Sequence, residues 1–430
     1  MMNREIVQFT MESLLKAGAD KAQCLLKKSE KSELNVEWGD VSLFRTTFDT
    51  SLDMTAILQS KKGSLSLNKT SVPDIEQAVV TVIDNAASSK PDSAYDIAEK
   101  QPDRSFRAGP TQPDLDLMYD RIKAFLEYEK KTFPMTNLEG LNFDFTKTRT
   151  WFLNSNGVDF EAEIGVYTII AIFTSKEGRN VSSFNYSVFQ SKDITKPIKD
   201  FGSFDILLRQ SAEQIETGEL PQKFIGDVII TPDCLPDFLS PLTGYLRDYA
   251  LITGNSAYKN KLDQKIADSR LSLHCRPTSD EIAAPYFFTR EGVTTRDSTI
   301  IDQGVLKSYL LSLYGANKTG KQRAANDGGC YVVDPGEKSQ EDMIRSINQG
   351  ILLCRFSGGR PSDNGDFSGV AKNSYYIEDG EVRFPLTETM VSGNLVQMLL
   401  NIKDISGERI NFGYGIFPWI QFHNLTISGK

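Results

Sequence analysis

The sequence predicts an α+β protein with an N-terminal α/β domain, a middle α+β domain built on an antiparallel sheet, and a β-rich C-terminal domain. Apolar residues recur at helical spacing near the start, and a strict apolar/charged alternation runs through 158–164. The second half carries hairpin turns and few helical stretches.

Ile6, Val7, Met11, Leu14 and Leu15 share one helical face, and Gly18 stands where a left-handed residue ends a helix. Residues 22–67 are short runs rich in β-branched and aromatic residues, which predict strands. Ser71-Val-Pro-Asp74 then opens a second helix carrying Ile75, Val79, Val82, Ile83 and Ala86, because a serine oxygen can accept an orphan N–H and proline suits the first turn. We place a first domain at 1–90 and a proline-rich linker at 91–114. The middle domain, 115–222, starts with a helix bearing Leu117, Ile122, Phe125 and Leu126 and stopped by Pro134. After the turn pair Asn156-Gly157, Val158, Phe160, Ala162 and Ile164 alternate with Asp159, Glu161 and Glu163, as in a half-buried antiparallel strand. Residues 167–173 and 181–189, joined through Lys176-Glu177-Gly178, continue that sheet. The last domain, 223–430, opens on Val228-Ile-Ile230, passes through a proline-rich helical stretch at 234–250, and shows hairpin signals at Asp302-Gln303-Gly304 and Asp379-Gly380.

A chain of 430 residues with 40% hydrophobic and 24% charged content has a globular composition. Its net charge of -9 offers no general attraction for a phosphate backbone, so no direct contact with nucleic acid is expected. No apolar run approaches the ~20 residues of a membrane span, and no secretory apolar region follows Met1-Met2. We expect a cytoplasmic protein without membrane contact. Five scattered cysteines, never spaced as C-x-x-C, suit a reducing compartment and argue against a cysteine-rich zinc site.

His274 and His423 are the chain's two histidines, and each reads better as a structural residue than as a catalyst. Gly315-Ala-Asn-Lys-Thr-Gly320-Lys321 approaches a phosphate-binding loop, but Gln322 lacks the hydroxyl that would hold Mg²⁺, and the stretch reads as a polar loop with conformationally free glycines. Ser256-Ala-Tyr-Lys259, Lys318-Thr-Gly320 and Ser362-Asp-Asn364 are the three fragments of a penicillin-recognising serine hydrolase, in the wrong order. An independent serine hydrolase using Ser256 and Lys259 is the weaker alternative they leave open. The glycine-dense stretch at 356–369, with Gly358, Gly359, Arg360 and Gly365, could hold an anion through backbone N–H groups or pack against another domain or subunit.

Gly350-Ile-Leu-Leu, Ser357-Gly-Gly, Gly365-Asp-Phe-Ser, Tyr376-Ile-Glu-Asp-Gly380, Pro385, Gly393-Asn394 and Leu425-Thr-Ile-Ser-Gly429 follow in this order. Together with Asn154-Ser-Asn-Gly-Val158 and Ile300-Ile-Asp-Gln-Gly-Val-Leu306, they resemble the TldD/PmbA family, once called modulators of DNA gyrase. The resemblance implies the three-domain order given above. In the metal-bearing TldD branch a strand leads into a helix with H-E-x-x-G-H, and a cysteine near the C-terminus completes a zinc site. Laid on that pattern without a gap, this chain has Ser240-Pro241-Leu-Thr-Gly244-Tyr245, with Tyr414 of Asn411-Phe-Gly-Tyr-Gly415 where the thiolate would be. Gly244 is kept; both histidines, the glutamate and the cysteine are gone. Ser240-Pro241 reads instead as an N-cap followed by proline at N1.

Such a departure resembles the PmbA branch, also called TldE. The resemblance implies a subunit without its own metal, joined to a zinc-bearing TldD-like partner that cuts unfolded or precursor peptides. Ser240, Pro241, Gly244, Tyr245 and Tyr414 would then line a degenerate cleft in the wall of a shared peptide chamber. No catalytic residue, no cofactor and no metal ligand is expected in this chain, and a homo-oligomer is possible when it is alone. A metal-free peptide-binding or regulatory module acting without any peptidase is the other reading.

Overall fold

The computed structural model describes residues 2–220 and 222–429. It opens with helix α1 (Asn3–Lys16), which buries Ile6, Val7 and Leu14 and ends beside Gly18 at φ 102°. Residues 22–67 form longer strands than the sequence suggests: β1 (Lys21–Glu37) and β2 (Asp40–Leu58) make one extended hairpin, and β3 (Lys61–Leu67) folds back on the end of β2. The polar residues that break the apolar runs sit on an exposed stretch of β2, where the ladder to β1 continues without a core to bury. Helix α2 (Val72–Ser88) starts as expected, with the Ser71 hydroxyl accepting from the Asp74 N–H. α1 and α2 cover one face of the three strands, burying Val7, Leu14, Ile75 and Val82 against Cys24, Leu26, Leu52 and Met54.

The expected linker holds a strand, β4 (Arg104–Ala108), followed by α3 (Leu115–Thr132), β5 (Thr136–Asn154) and β6 (Asp159–Glu177). β6 absorbs both apolar runs on either side of residue 165 in one strand, and the chain turns back at Gly178 (φ 59°) into β7 (Asn180–Val181) and β8 (Asn185–Ser191). β1 pairs antiparallel with β5 from Gln23 opposite Asn154 to Glu37 opposite Gly140. One sheet of order β3-β2-β1-β5-β6-β4 therefore runs across the boundary expected between 1–90 and 115–222. Alternation along a strand shows which face is buried but not which strand lies beside it. α3 and α4 (Phe204–Glu213) pack Met118, Ile122, Phe125, Phe204 and Leu207 onto Phe143, Tyr167 and Ile169 of this sheet.

The C-terminal part begins with β9 (Phe224–Ile230), α5 (Pro236–Gly244) and α6 (Asp248–Thr253). It continues through β10 (Leu273–Cys275), β11 (Ser298–Asp302), β12 (Val305–Leu306), α7 (Leu313–Thr319), β13 (Tyr331–Val333), α8 (Gln340–Arg345) and β14 (Gln349–Leu353). The remainder is β15 (Arg355–Gly358), β16 (Asp366–Lys372), β17 (Tyr375–Glu378), β18 (Glu381–Pro385), β19 (Thr389–Asn394), α9 (Leu395–Leu400), β20 (Ile402–Asn411) and β21 (Ile416–Ser428). The main path of the second sheet is β12-β11-β10-β13-β21-β9-β14-β17-β18. Both expected hairpins form two-residue turns with left-handed backbone, at Gln303-Gly304 (φ 45° and 80°) and Asp379-Gly380 (φ 50° and 77°). Among the described residues no helix is long and apolar enough to cross a membrane.

The two sheets meet where the β20–β21 turn seats on β8. The Gln190 N–H donates to the Phe412 carbonyl at 2.9 Å, and Gly413 lies so close that a Cβ would fall 1.8 Å from the Gln190 carbonyl oxygen. Gly413 also has φ 78°. Gly413→Ala is therefore expected to cost about 3 kcal/mol or more and to loosen the turn carrying Tyr414, read as a fall in the denaturant midpoint at unchanged slope. A second prediction concerns Glu129 of α3, only 4% exposed, whose carboxyl burial pushes up to about 7. A carboxyl with a raised folded pKa costs nothing below its unfolded value of 4.5; stability is lost as pH climbs from there through about 7 and stays lost above. Glu129→Gln should thus leave stability unchanged near the acid end and raise it by about 1–2 kcal/mol on the alkaline side of that window, measured by urea unfolding across pH.

Candidate functional site

β9 delivers the chain into a tight turn in which the Cys234 and Leu235 N–H groups both donate to the Thr231 carbonyl. Helix α5 starts at Pro236, so Pro236 takes the first-turn place and Ser240-Pro241 is not a cap. Pro241 lies inside the helix, where it has no N–H for the Asp237 carbonyl and costs about 3 kcal/mol in an isolated helix. Burial of Phe238, Leu239 and Leu242 in the large C-terminal core offsets that penalty and holds the short helix together.

On this helix Ser240 is exposed, Pro241 and Gly244 are half-buried, and Tyr245 is 7% exposed. The Tyr245 hydroxyl donates to the Ser362 carbonyl at 2.5 Å, and its ring meets Tyr258 edge-on with centroids 6.0 Å apart. Burial, with Asp363 and Asp366 nearby, raises its pKa, so the phenol stays protonated and committed to that carbonyl. Tyr414 belongs to a different neighbourhood. Its ring stacks on Phe412 at 5.6 Å, and burial together with the field of Asp233 pushes its pKa up to about 12 against the opposing field of Arg355. Among the described residues no hydrogen bond or ring contact joins Tyr414 to Tyr245.

Around Tyr414 stand residues that sequence reasoning missed. Asp233 and Asp237, in and after the turn that starts α5, both have pKa values raised by burial and pulled back by Arg355. Asp233 accepts from the Ser203 hydroxyl at 2.6 Å. Arg355 lies over the Tyr186 ring at 3.8 Å, donates to the Asn185 side chain at 3.1 Å, and reaches the Tyr186 carbonyl. Two carboxylates four residues apart beside a helix were the available signal; the arginine comes from a distant strand and no spacing rule could have joined it to them.

The donor set does not suit zinc. A hydroxyl, a proline and two protonated phenols offer none of the imidazole or thiolate that zinc prefers, and the field of the Arg355 guanidinium falls on the two carboxylates. Among the described residues no group of three or more His, Cys, Asp or Glu side chains could hold a metal ion.

The other sequence candidates resolve as scaffold. β15 and β16 make the glycine-dense stretch a hairpin, with Gly358 opposite Gly369. The N–H groups of Gly359, Ser362 and Gly365 donate to carbonyls of the same hairpin, and Arg360 is exposed, so no cradle of converging N–H groups forms. Gly315 is helical rather than in a loop, in α7 whose start is capped by the Ser312 hydroxyl, and it packs where a Cβ would lie 1.9 Å from the Asp248 carboxylate; Gly320 caps the other end at φ 67°. Ser256 accepts from the Tyr258 N–H in a turn, while Lys318 pairs with Asp92 at 2.7 Å. His274 bonds Thr299 and Asp334, each at 3.0 Å, and His423 bonds Asp227 at 2.5 Å, which gives both histidines structural partners.

Comparison with known proteins agrees with this architecture. The profile of the PmbA/TldA metallopeptidase C-terminal domain matches residues 223–429. A metalloprotease PmbA homolog of Haemophilus influenzae is 24% identical, over 99% of this chain and 96% of its own. Among solved structures, a candidate modulator of DNA gyrase from Bacteroides thetaiotaomicron superposes with TM-score 0.89 at 24% identity, covering 100% of this chain and 99% of that one. TldE from Thermococcus kodakarensis gives TM-score 0.83 at 19% identity, covering 99% of both chains. With the metallopeptidase C-terminal domain matched and its relatives aligned end to end, the chain belongs to the PmbA/TldD family.

Proposed function

We propose that this chain is the non-catalytic subunit of a heteromeric zinc metallopeptidase, joined in the cytoplasm to a metal-bearing TldD-like subunit that cuts unfolded or precursor peptides. The observation that carries this reading is the face of α5. It presents Ser240, Pro241 and a Tyr245 whose hydroxyl is spent on the Ser362 carbonyl, where a peptidase of the metal-bearing branch would need imidazoles and a proton-accepting glutamate. The chain supplies a wall of the peptide chamber, with Tyr414, Asp233, Asp237 and Arg355 as its polar part. Any influence on gyrase then runs through a degraded peptide, because a net charge of -9 gives no hold on DNA. A metal-free peptide-binding module would share these features and differs in needing no peptidase.

Elemental analysis of the purified chain should find no stoichiometric zinc, and peptide cleavage should appear only after the metal-bearing subunit is added, in a stable complex of the two. One tightly held zinc per chain with chelator-sensitive turnover by the chain alone would overturn the proposal, and failure of the two chains to associate at micromolar concentration would favour the peptide-binding module. A fluorophosphonate probe should leave the protein unlabelled, and Ser256→Ala should change neither labelling nor complex activity, since that hydroxyl is engaged by the Tyr258 N–H. Labelling that disappears in Ser256→Ala would instead establish a serine hydrolase.

A further inference from the structure

The β1–β2 hairpin ends in an arm that the rest of its sheet does not cover. β3 pairs with β2 only over residues 52–58, so among the described residues the outer edge of β2 has no strand beside it from 41 to 51. Its inner edge is laddered to β1 along this stretch. Natural sheets shield long edges with lysine, proline, bulges or covering elements. Here residues 41–51 contain neither lysine nor proline, and Phe44 and Phe48 are 56% and 76% exposed on one face. At the tip, Trp38 is 70% exposed in a left-handed backbone conformation (φ 53°), which a bulky residue seldom adopts.

The open edge is complementary to itself. Its window is centred on Thr46, so two copies related by a two-fold axis there can pair antiparallel along the whole window. Val41 then faces Ser51 of the other copy just before that copy's β3 begins to occupy the edge at residue 52. In this register Phe44 lies opposite Phe48 twice, and Arg45 lies diagonal to Asp49 on the other face. Aromatic pairs opposite one another and unlike charges in diagonal reach are the contacts that stabilise adjoining strands. A slip of one residue would set Phe44 against Asp49 and turn the α3-bearing faces to opposite sides, which fixes the register. We propose that two copies of this chain join edge to edge through β2, antiparallel about a two-fold axis at Thr46, fusing their N-terminal sheets into one. The pairing does not depend on the peptidase reading above.

Sedimentation of the full chain alone should show a dimer, and exchange of alternate amides across 41–51 should be slow. Thr46→Cys places the new thiol opposite its own copy at a Cα separation that a disulfide spans, so mild oxidation should link it covalently. Ser42→Cys, which faces Thr50, and the unmodified chain should stay unlinked under the same conditions. The double variant Phe44→Lys/Phe48→Lys should keep its circular dichroism and weaken association by roughly a hundredfold, because each change is felt twice. A monomer at tens of micromolar, or a dimer that survives the double variant while Thr46→Cys fails to link, would overturn the pairing. Protection of 41–51 that appears only on adding the metal-bearing subunit would also overturn it, while leaving the proposed function standing.

Discussion

The antiparallel ladder between β1 and β5 is the interaction on which the rest of the molecule depends. It runs along residues 23–37 of one strand and 140–154 of the other, and it makes a single sheet of what would otherwise be two small domains. A three-strand unit with two helices buries little apolar surface by itself, whereas the fused sheet has helices bearing on each of its halves. β8, at the far side of that sheet, then gives the C-terminal domain a rigid shelf through the Gln190–Phe412 bond. The position of Tyr414 thus traces back, strand by strand, to pairings formed more than two hundred residues earlier in the chain.

Much of this was legible in the residues. The two N-terminal helices, the strand after Asn156-Gly157 and both C-terminal hairpins have local causes: a serine that caps, a glycine that takes left-handed backbone, an alternation that matches the pleat. What was not legible is non-local. Nothing in residues 22–37 says that β5 will lie beside β1, nor that the stretch at 104–108, set among prolines, will pair parallel to β6. Strand neighbours are chosen by the sum of side-chain contacts across the ladder, and that sum is invisible one strand at a time.

The candidate site divides the same way. The residues of α5 could be named because they are contiguous, yet the helix was expected to begin five residues late; the rule that proline favours a first turn applies to Pro236 as well as to Pro241, and burial of Phe238 and Leu239 decides between them. Arg355, Asp233 and Tyr414 gather from three separate stretches, so only the fold could join them. The glycine-dense hairpin shows the opposite case, a stretch conspicuous in sequence whose glycines let β15 and β16 approach and whose amides bond inward.

Pro241 carries a last consequence, for the direction of change open to this fold. A non-proline residue at 241 would return the N–H that the Asp237 carbonyl lacks and relieve the helix, whereas any change at Tyr245 would release the β15–β16 hairpin from α5 by removing the phenol that binds Ser362. The two positions are thus held unequally, 241 only by local packing and 245 by a bond to a neighbouring hairpin. Substitution along α5 is therefore tolerated or resisted position by position, according to whether a bond to another element has to be surrendered.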